Sequence, residues 1–517
     1  MTMRKSVVAN KGMVASAHHL ASKAGTDVLS NGGNVVDAAI TTSAVLCVVE
    51  NNSCGLGGDA FVLFKLGSKI REINGSGRSA RSATIERYEK EGMREIPARG
   101  PLACITVPGL VHAWGELLKF ATMDLGRLLA PAIDYAENGV PLNYKYVESI
   151  RLSFPIMQRY GGWKKLFMPD GEVPAIGFVL RQRDLANSLK MIAREGVRTY
   201  YDGPLAELIV KGLKRAGCLL DNDDFKKHTS TLVEPIWTEY RGTRIYETSP
   251  NSQAATVLLW LNMLENYDLR KVSDSESLLI ETCIKAYEHR AKSIADPSFF
   301  PLPANFVSKH FAKQVLSSHS EWSQSAHQKD ETGDTTYFAI GDREGNVVSM
   351  IQSNYNGFGS GVVPEGTGIV LQNRGSYFSL NSTHHNALAP GKRTFHTLCA
   401  SIGERNDKTL FAIGTMGGDI QPQIHVQLMN KMLDSGIDIQ EAIDSPRWFI
   451  PATIYEKPTT INFEKGLDSP KKMLPGMKTK KMNDRTSQAG HANGIYFSEA
   501  SILGAADPRC SGSAVGF

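Results

Sequence analysis

One short run could do covalent chemistry. Gly333-Asp334-Thr335-Thr336-Tyr337 follows a stretch from Leu316 to Asp334 that is rich in Ser and His and poor in apolar residues. A threonine hydroxyl is a weak nucleophile unless a base stands beside it. One solution makes threonine the first residue of a chain, so that its own α-amino group is the base. That amine has a pKa of about 7.7 to 8.0, so a useful neutral fraction exists near pH 7. Generating this terminus inside a chain requires cutting the Asp334–Thr335 bond. The same hydroxyl can do so by attacking the preceding carbonyl and leaving an ester for water. A Thr-Thr pair also opens many strands simply as a strand former, so the run alone fits a structural role too.

Other chemistries find little support. There is no G-x-S-x-G elbow, no G-x-x-x-x-G-K-[ST] phosphate loop and no H-E-x-x-H helix. The pairs His18-His19 and His384-His385 are adjacent, and neighbouring helix positions do not face one metal ion, so they read as surface or capping histidines. The glycines of Cys54-Gly-Leu-Gly-Gly58 lack dinucleotide spacing. No metal or organic cofactor is expected.

Composition narrows the classes further. The 517 residues carry 57 Lys+Arg against 53 Asp+Glu, a net charge of +4, with 42% apolar residues. That is too apolar for a disordered chain and too evenly charged for a nucleic-acid binder, unless the excess is concentrated on one face. The segment Lys457 to Arg485 holds eight basic and three acidic residues but no aromatic spacing for base stacking, so a solvated helix and loop surface is expected there. Seven scattered cysteines form no C-x-x-C pair and read as reduced thiols in a cytoplasm. No apolar signal region stands at the N-terminus, and the apolar stretch Ala38 to Val49 is short of the roughly 20 residues of a membrane span.

The positioning elements follow from periodicity. Apolar residues at helical spacing run from Ala15 to Val49, split by Gly32-Gly33, with Asn34 as cap of the second helix. Strands are expected at Phe61 to Leu66, Thr238 to Tyr246, Gly368 to Leu371 and Thr409 to Ile413. Helices are expected through 110 to 220, at Ala254 to Leu264, Ser275 to Ala295 and Gln423 to Leu433. Thr335 to Ile340 and Val347 to Gln352, joined by Asp342-Arg-Glu-Gly-Asn346, make a hairpin. Helix blocks beside antiparallel strand pairs argue for a layered α+β fold, and the polar stretch before Asp334 reads as exposed and mobile.

The chain from Thr335 onward resembles the small subunit of the γ-glutamyltranspeptidase family of N-terminal nucleophile hydrolases. NGGNVVDAAI (31 to 40), GLGGDAF (55 to 61), VPGLVHAW (107 to 114), ADPSF (295 to 299), GDTTYFAIGDREGNVVS (333 to 349), GTMGGD (414 to 419), EAIDSPRW (441 to 448) and GAADPR (504 to 509) stand in the family's order. The resemblance implies a four-layer αββα sandwich, with residues 1–334 as the large-subunit region and 335–517 as the small. The two fragments would stay associated in one domain, with a homodimer left open. Thr335 would be both processing and catalytic nucleophile, Ser353 the second hydroxyl beside it, and Gly417 and Gly418 the oxyanion-hole donors. An ordinary tight turn is the structural alternative for the glycine pair.

Departures from the family pattern concern the substrate clamp. The arginine of the RE-x-x-P segment falls at Ser76, with Arg78 and Arg81 nearby but out of register. The acidic residue that would bind an α-amino group falls at Tyr377, and the preceding glutamine is Arg374. The serine pair becomes His396-Thr397, and the asparagine after the second hydroxyl becomes Tyr355. Arg374, Tyr377, His396 and Arg78 are thus the candidate substrate residues, with a structural ion pair as the alternative for Arg374. An added arginine and a lost carboxylate suit an acyl group with a terminal anion and no α-amino group, as in the γ-glutamyltranspeptidase-like and cephalosporin-acylase branch. The expected function is amide hydrolysis or acyl transfer on γ-glutamyl- or glutaryl-type amides, to water or an amine acceptor. Two alternatives are glutathione-like γ-glutamyl substrates held by Arg78 or Arg81, and an unprocessed, inactive binding module. Neither nucleic acid nor membrane is an expected partner.

Overall fold

Along the strand Gly333–Asp342, alternate side chains enter different cores. Phe338 and Ile340 join one apolar cluster, while Tyr337 and Ala339 join another. A period of two sends neighbours to opposite faces, so a strand apolar at every position is covered on both sides. The computed structural model describes residues 4–318, 333–455, 457–470 and 476–517, and this double burial recurs through its two main sheets.

Each main sheet has seven strands and antiparallel pairing throughout. One runs in the order Val7–Ala9, Ile502–Ala506, Ala492–Phe497, Lys408–Thr415, Ala400–Arg405, Thr243–Glu247, Ile236–Tyr240. The other runs Ser513–Gly516, Gly12–Ser16, Gly333–Asp342, Val347–Asn356, Asp59–Leu66, Lys69–Gly75, Thr231–Val233. Met13, Phe61, Tyr337, Leu398, Ala412 and Ile495 fill the space between them. The helices His19–Ser30, Val35–Val49, Leu125–Asn138 and Arg183–Glu195 cover the second sheet's outer face. Ala255–Leu264, Ser275–Ser293 and Gln421–Met429 cover the first. The architecture is the αββα sandwich of the N-terminal nucleophile hydrolases, and both sheets mix strands from before and after Thr335.

Local signals hold at several points. Asn34 caps the helix Val35–Val49 in a capping box: its side-chain oxygen accepts from the N–H of Asp37 at 3.0 Å, and the Asp37 carboxylate accepts from the N–H of Asn34 at 2.8 Å. All seven cysteines are free.

Five expectations need correction. Gly12–Ser16 is a strand, hidden from periodicity because it is buried on both faces, and the first helix begins only at His19. Thr238 to Tyr246 is two strands, broken at Arg241 and Gly242, whose φ values of 51° and 68° make a tight hairpin turn. Gly368 to Leu371 is no strand; Leu371 makes one isolated bridge, to Gly57. The described residues of the basic segment form strands and loops and no helix: Thr460–Phe463 and Lys478–Lys481 pair beside Trp448–Phe449 in a small sheet. Of the stretch Leu316 to Asp334 read as mobile, Leu316 and Ser317 close the helix Lys309–Ser317, Gly333 and Asp334 open the strand Gly333–Asp342, and 319–332 lie outside the described residues.

Candidate active site

The pairing register slips at Asp334-Thr335-Thr336. Asp334 lies opposite Tyr355 and Thr336 opposite Gln352, so Ser353 and Asn354 together face Thr335. This is a β-bulge, a device that re-aims side chains beside functional sites. Tyr355, just past it, has φ +78°, an uncommon conformation for a bulky residue.

The bulge builds a short chain of hydroxyls. Thr335 Oγ1 donates to Ser353 Oγ at 3.1 Å, and Ser353 Oγ donates to the Asp334 carbonyl oxygen at 2.7 Å. The N–H of Tyr355 donates to the same Ser353 oxygen at 2.7 Å. A hydrogen-bonded path therefore runs from the Thr335 hydroxyl to the oxygen of the carbonyl before it. Thr335 is only 3% exposed, and burial strengthens these bonds.

Glycines hold the bulge in place. A Cβ on Gly58 would stand 2.4 Å from the Ser353 carbonyl oxygen and 2.6 Å from Asn354 Oδ1. The turn Gly55–Gly58 is thus glycine-rich because backbone must lie against the bulge. Asp59, next in sequence, anchors the turn: its Oδ1 accepts from the N–H groups of Gly77 and Gly109, each at 3.1 Å, and from Gln372 at 3.0 Å. Burial pushes the Asp59 carboxyl up to about 7, against the pull of Arg374 and these donors.

Gly417 and Gly418 have φ +137° and +57° and lead into the helix Gln421–Met429. No acceptor for either N–H is found among the described residues, and Gln253 Nε2 holds the Gly418 carbonyl at 2.9 Å. Free N–H groups leading into a helix N-terminus suit a developing oxyanion. Thr335 and Gly417 line one cavity of about 790 Å³, together with Asp334, Glu50 and Lys145.

The four candidate substrate residues lie elsewhere; none lines that cavity. Arg374 is 1% exposed, with its guanidinium 3.9 Å from the Tyr355 ring centre. Its Nη1 donates to Thr397 Oγ1 at 3.2 Å, but its Nε and Nη2 have no partner among the described residues. No carboxylate lies within ion-pair distance of Arg374 among the described residues, although Asp59 and Asp419 act on its charge from farther off. Tyr377 donates to Asp419 Oδ1 at 2.6 Å, and Arg290 donates to the same oxygen at 3.1 Å. His396 sets Nε2 3.2 Å from Asp59 Oδ2, while burial, with Arg374 and Arg393 close by, pushes its pKa well down. It thereby braces the Asp59 anchor.

Arg78 stands 3.7 Å from Asp296 and donates to the Gly391 carbonyl. Arg81 pairs with Asp223 at 2.8 Å. Sequence reading missed Asp419, although it closes the motif GTMGGD, and also Glu50 and Lys145, which no motif marks. Among the described residues no group of three or more His, Cys, Asp or Glu is placed to hold a metal ion.

Comparison with known proteins agrees with this architecture. The family model described as gamma-glutamyltranspeptidase matches residues 21–517. The glutathione hydrolase-like YwrD proenzyme of Bacillus subtilis is 39% identical, over 99% of this chain and all of that protein. The oxamate amidohydrolase proenzyme of Klebsiella pneumoniae is 33% identical over the full length of both. The crystal structure of cephalosporin acylase from Bacillus halodurans superposes with a TM-score of 0.91 at 34% identity, covering all of this chain and 98% of that one. The chain belongs to the gamma-glutamyltranspeptidase family and is an amidohydrolase of that type.

Proposed function

We propose that the chain cuts itself before Thr335 and then hydrolyses or transfers an acyl group bearing a terminal carboxylate and no α-ammonium, of the glutaryl type. The observation that carries this is the hydroxyl path from Thr335 through Ser353 to the Asp334 carbonyl oxygen. In processing, Thr335 Oγ1 bonds to the Asp334 carbonyl carbon. Its proton passes to Ser353, whose own proton goes to the carbonyl oxygen. The C–N bond breaks with the proton returned to nitrogen, and water hydrolyses the resulting ester, leaving the Asp334 carboxylate and the Thr335 amine. In turnover the freed amine takes the hydroxyl proton and delivers it to the leaving amine, while Gly417 and Gly418 hold the oxyanion. Water or an acceptor amine resolves the threonyl ester.

The acyl class rests on Arg374 and Asp419. Arg374 holds two guanidinium nitrogens without a partner among the described residues, in a buried site, which a carboxylate would satisfy. Tyr377 stands where the acidic residue for an α-ammonium would be, and the carboxylate beside it, Asp419, is already bonded to Tyr377 and Arg290. Tyr355 lies over Arg374 and pairs with Asp334, so departure of Asp334 after the cut frees it to uncover the guanidinium. The relative named for oxamate is consistent, since that substrate's acyl half carries a carboxylate and no α-ammonium.

Intact mass before and after incubation tests the cut. A full-length species that never yields Thr335 as a new terminus refutes it. Paired kcat/KM values for a glutaryl and a γ-glutamyl anilide test the acyl class; preference for the γ-glutamyl compound overturns it. We place the protein in the cytoplasm, a reading supported by its seven free thiols. Fractionation of the native cells tests that placement.

A further inference from the structure

The helix Tyr144–Met157 carries two apolar stripes where packing needs one. Tyr146, Val147, Ile150 and Met157 are buried with Trp163 and Phe167. On the other side Tyr144, Leu152 and Ile156 are 63%, 71% and 41% exposed. Their spacing of eight and four residues puts them on one face. A surface helix ordinarily turns a polar face outward, so this second stripe is unexplained by the fold. All three side chains line the cavity that also contains Thr335 and Gly417.

Lys145 adds a charge to the same wall. It lines the cavity, and its Nζ is buried without a hydrogen-bond partner among the described residues. Burial lowers its pKa, and the acidic groups about it are Glu50 and Asp507. Asp507 is taken by Arg447 at 2.7 Å and by Arg509 at 3.1 Å. Burial pushes the Glu50 carboxyl well above the carboxylate range, and nearby Asp334 adds to the push. An ammonium left without a bonded anion is costly, and an incoming carboxylate would relieve it.

We infer that this cleft is the subsite for the amine half of the substrate, and that it selects a leaving or accepting amine with an apolar or aromatic body and a carboxylate: the body lies on Leu152 and Ile156, and the carboxylate pairs with Lys145. The assignment rests on the acyl reading above, which gives the carboxylated acyl half to Arg374, a residue outside this cleft. The same site would receive acceptor amines, so it also governs transfer against hydrolysis.

Two anilides of one acyl group test the subsite: glutaryl 4-nitroanilide and glutaryl 3-carboxy-4-nitroanilide. One charge-assisted hydrogen bond corresponds to a kcat/KM ratio of about tenfold in favour of the carboxylated compound. That ratio should fall to near one in Lys145→Met and survive in Lys145→Arg, with rates normalised to the processed fraction. A wild-type ratio near one, or a ratio that Lys145→Met leaves intact, overturns the inference. Binding of the free amines 5-amino-2-nitrobenzoate and 4-nitroaniline to processed wild-type protein, by calorimetry, gives a readout independent of turnover and of the variants' folding. Tighter binding of the carboxylated amine supports the subsite even if neither anilide is cleaved, an outcome that would sink the acyl reading alone. Equal binding of the two amines refutes the subsite.

Discussion

In the proposed self-cleavage Ser353 is the pivotal residue, because a single hydroxyl makes three hydrogen bonds. It accepts from Thr335 and from the Tyr355 N–H and donates to the Asp334 carbonyl. Ser353→Ala removes the donor to the carbonyl and breaks the proton path. Loss of one such donor typically costs about 10²–10³ in rate. Processing followed by intact mass should therefore slow by about that factor, and an unchanged rate would exclude Ser353 from the cut. Thr335→Ala should stop both cleavage and amide turnover. Cleavage that survives it would point to Thr336 or to a contaminating protease.

At the scale of elements, the bulge and the glycine turn form one unit. Gly58→Ala places a methyl against backbone at Ser353, where nothing flexible can yield, whereas Gly161→Ala meets open space. Strain of this kind costs roughly 1–3 kcal/mol. Gly58→Ala should process at least tenfold more slowly by a gel time course, with Gly161→Ala close to wild type; similar rates in both would show that the turn does not position Ser353. Sequence alone reached the glycine turn and the hairpin separately, since both are local signals, but neither the bulge nor the contact between them, which only the folded backbone brings about. It could not reach Lys145 or Glu50, because each stands on a helix or helix end set beside Thr335 by folding across nearly 200 residues or more. Gly12–Ser16 was hidden for a different reason: a strand buried on both faces shows no alternation.

A pH effect also belongs to this scale. His18 caps the first helix, its Nδ1 accepting from the Leu20 N–H at 3.3 Å, and burial, with His19 adjacent, pushes its pKa down to about 3. Protonating Nδ1 would destroy the cap. The folded value lies below the unfolded 6.5, so the unfolded chain binds more protons between those values. The stabilisation is therefore complete above pH 6.5 and drains away as pH falls towards 3. His18→Asn keeps a good cap without the titration. Its Tm should fall less steeply than wild type between about pH 7 and 4.5 by scanning calorimetry, and parallel slopes would remove His18 from the acid response.

The whole molecule explains why a cut at Thr335 need not be a separation. In the second sheet Gly12–Ser16 lies between Ser513–Gly516 and residues 338–342 of the strand Gly333–Asp342, chain from before the cut between two stretches from after it. In the first, Ala400–Arg405 pairs with Thr243–Glu247, again joining the two regions. The layer between the sheets draws Met13, Phe61 and Leu63 from one fragment and Tyr337, Leu398 and Ile495 from the other. Parting the fragments would expose that layer and unpair both sheets, which is equivalent to unfolding. Processed protein should therefore elute under native conditions as a single species containing residues 1–334 and 335–517, and divide only in denaturant. The two regions produced separately should each lack a cooperative thermal transition, since neither completes a sheet or a core alone. A fragment that melts cooperatively by itself, or processed chains that part on a native column, would show instead that the cut divides two domains.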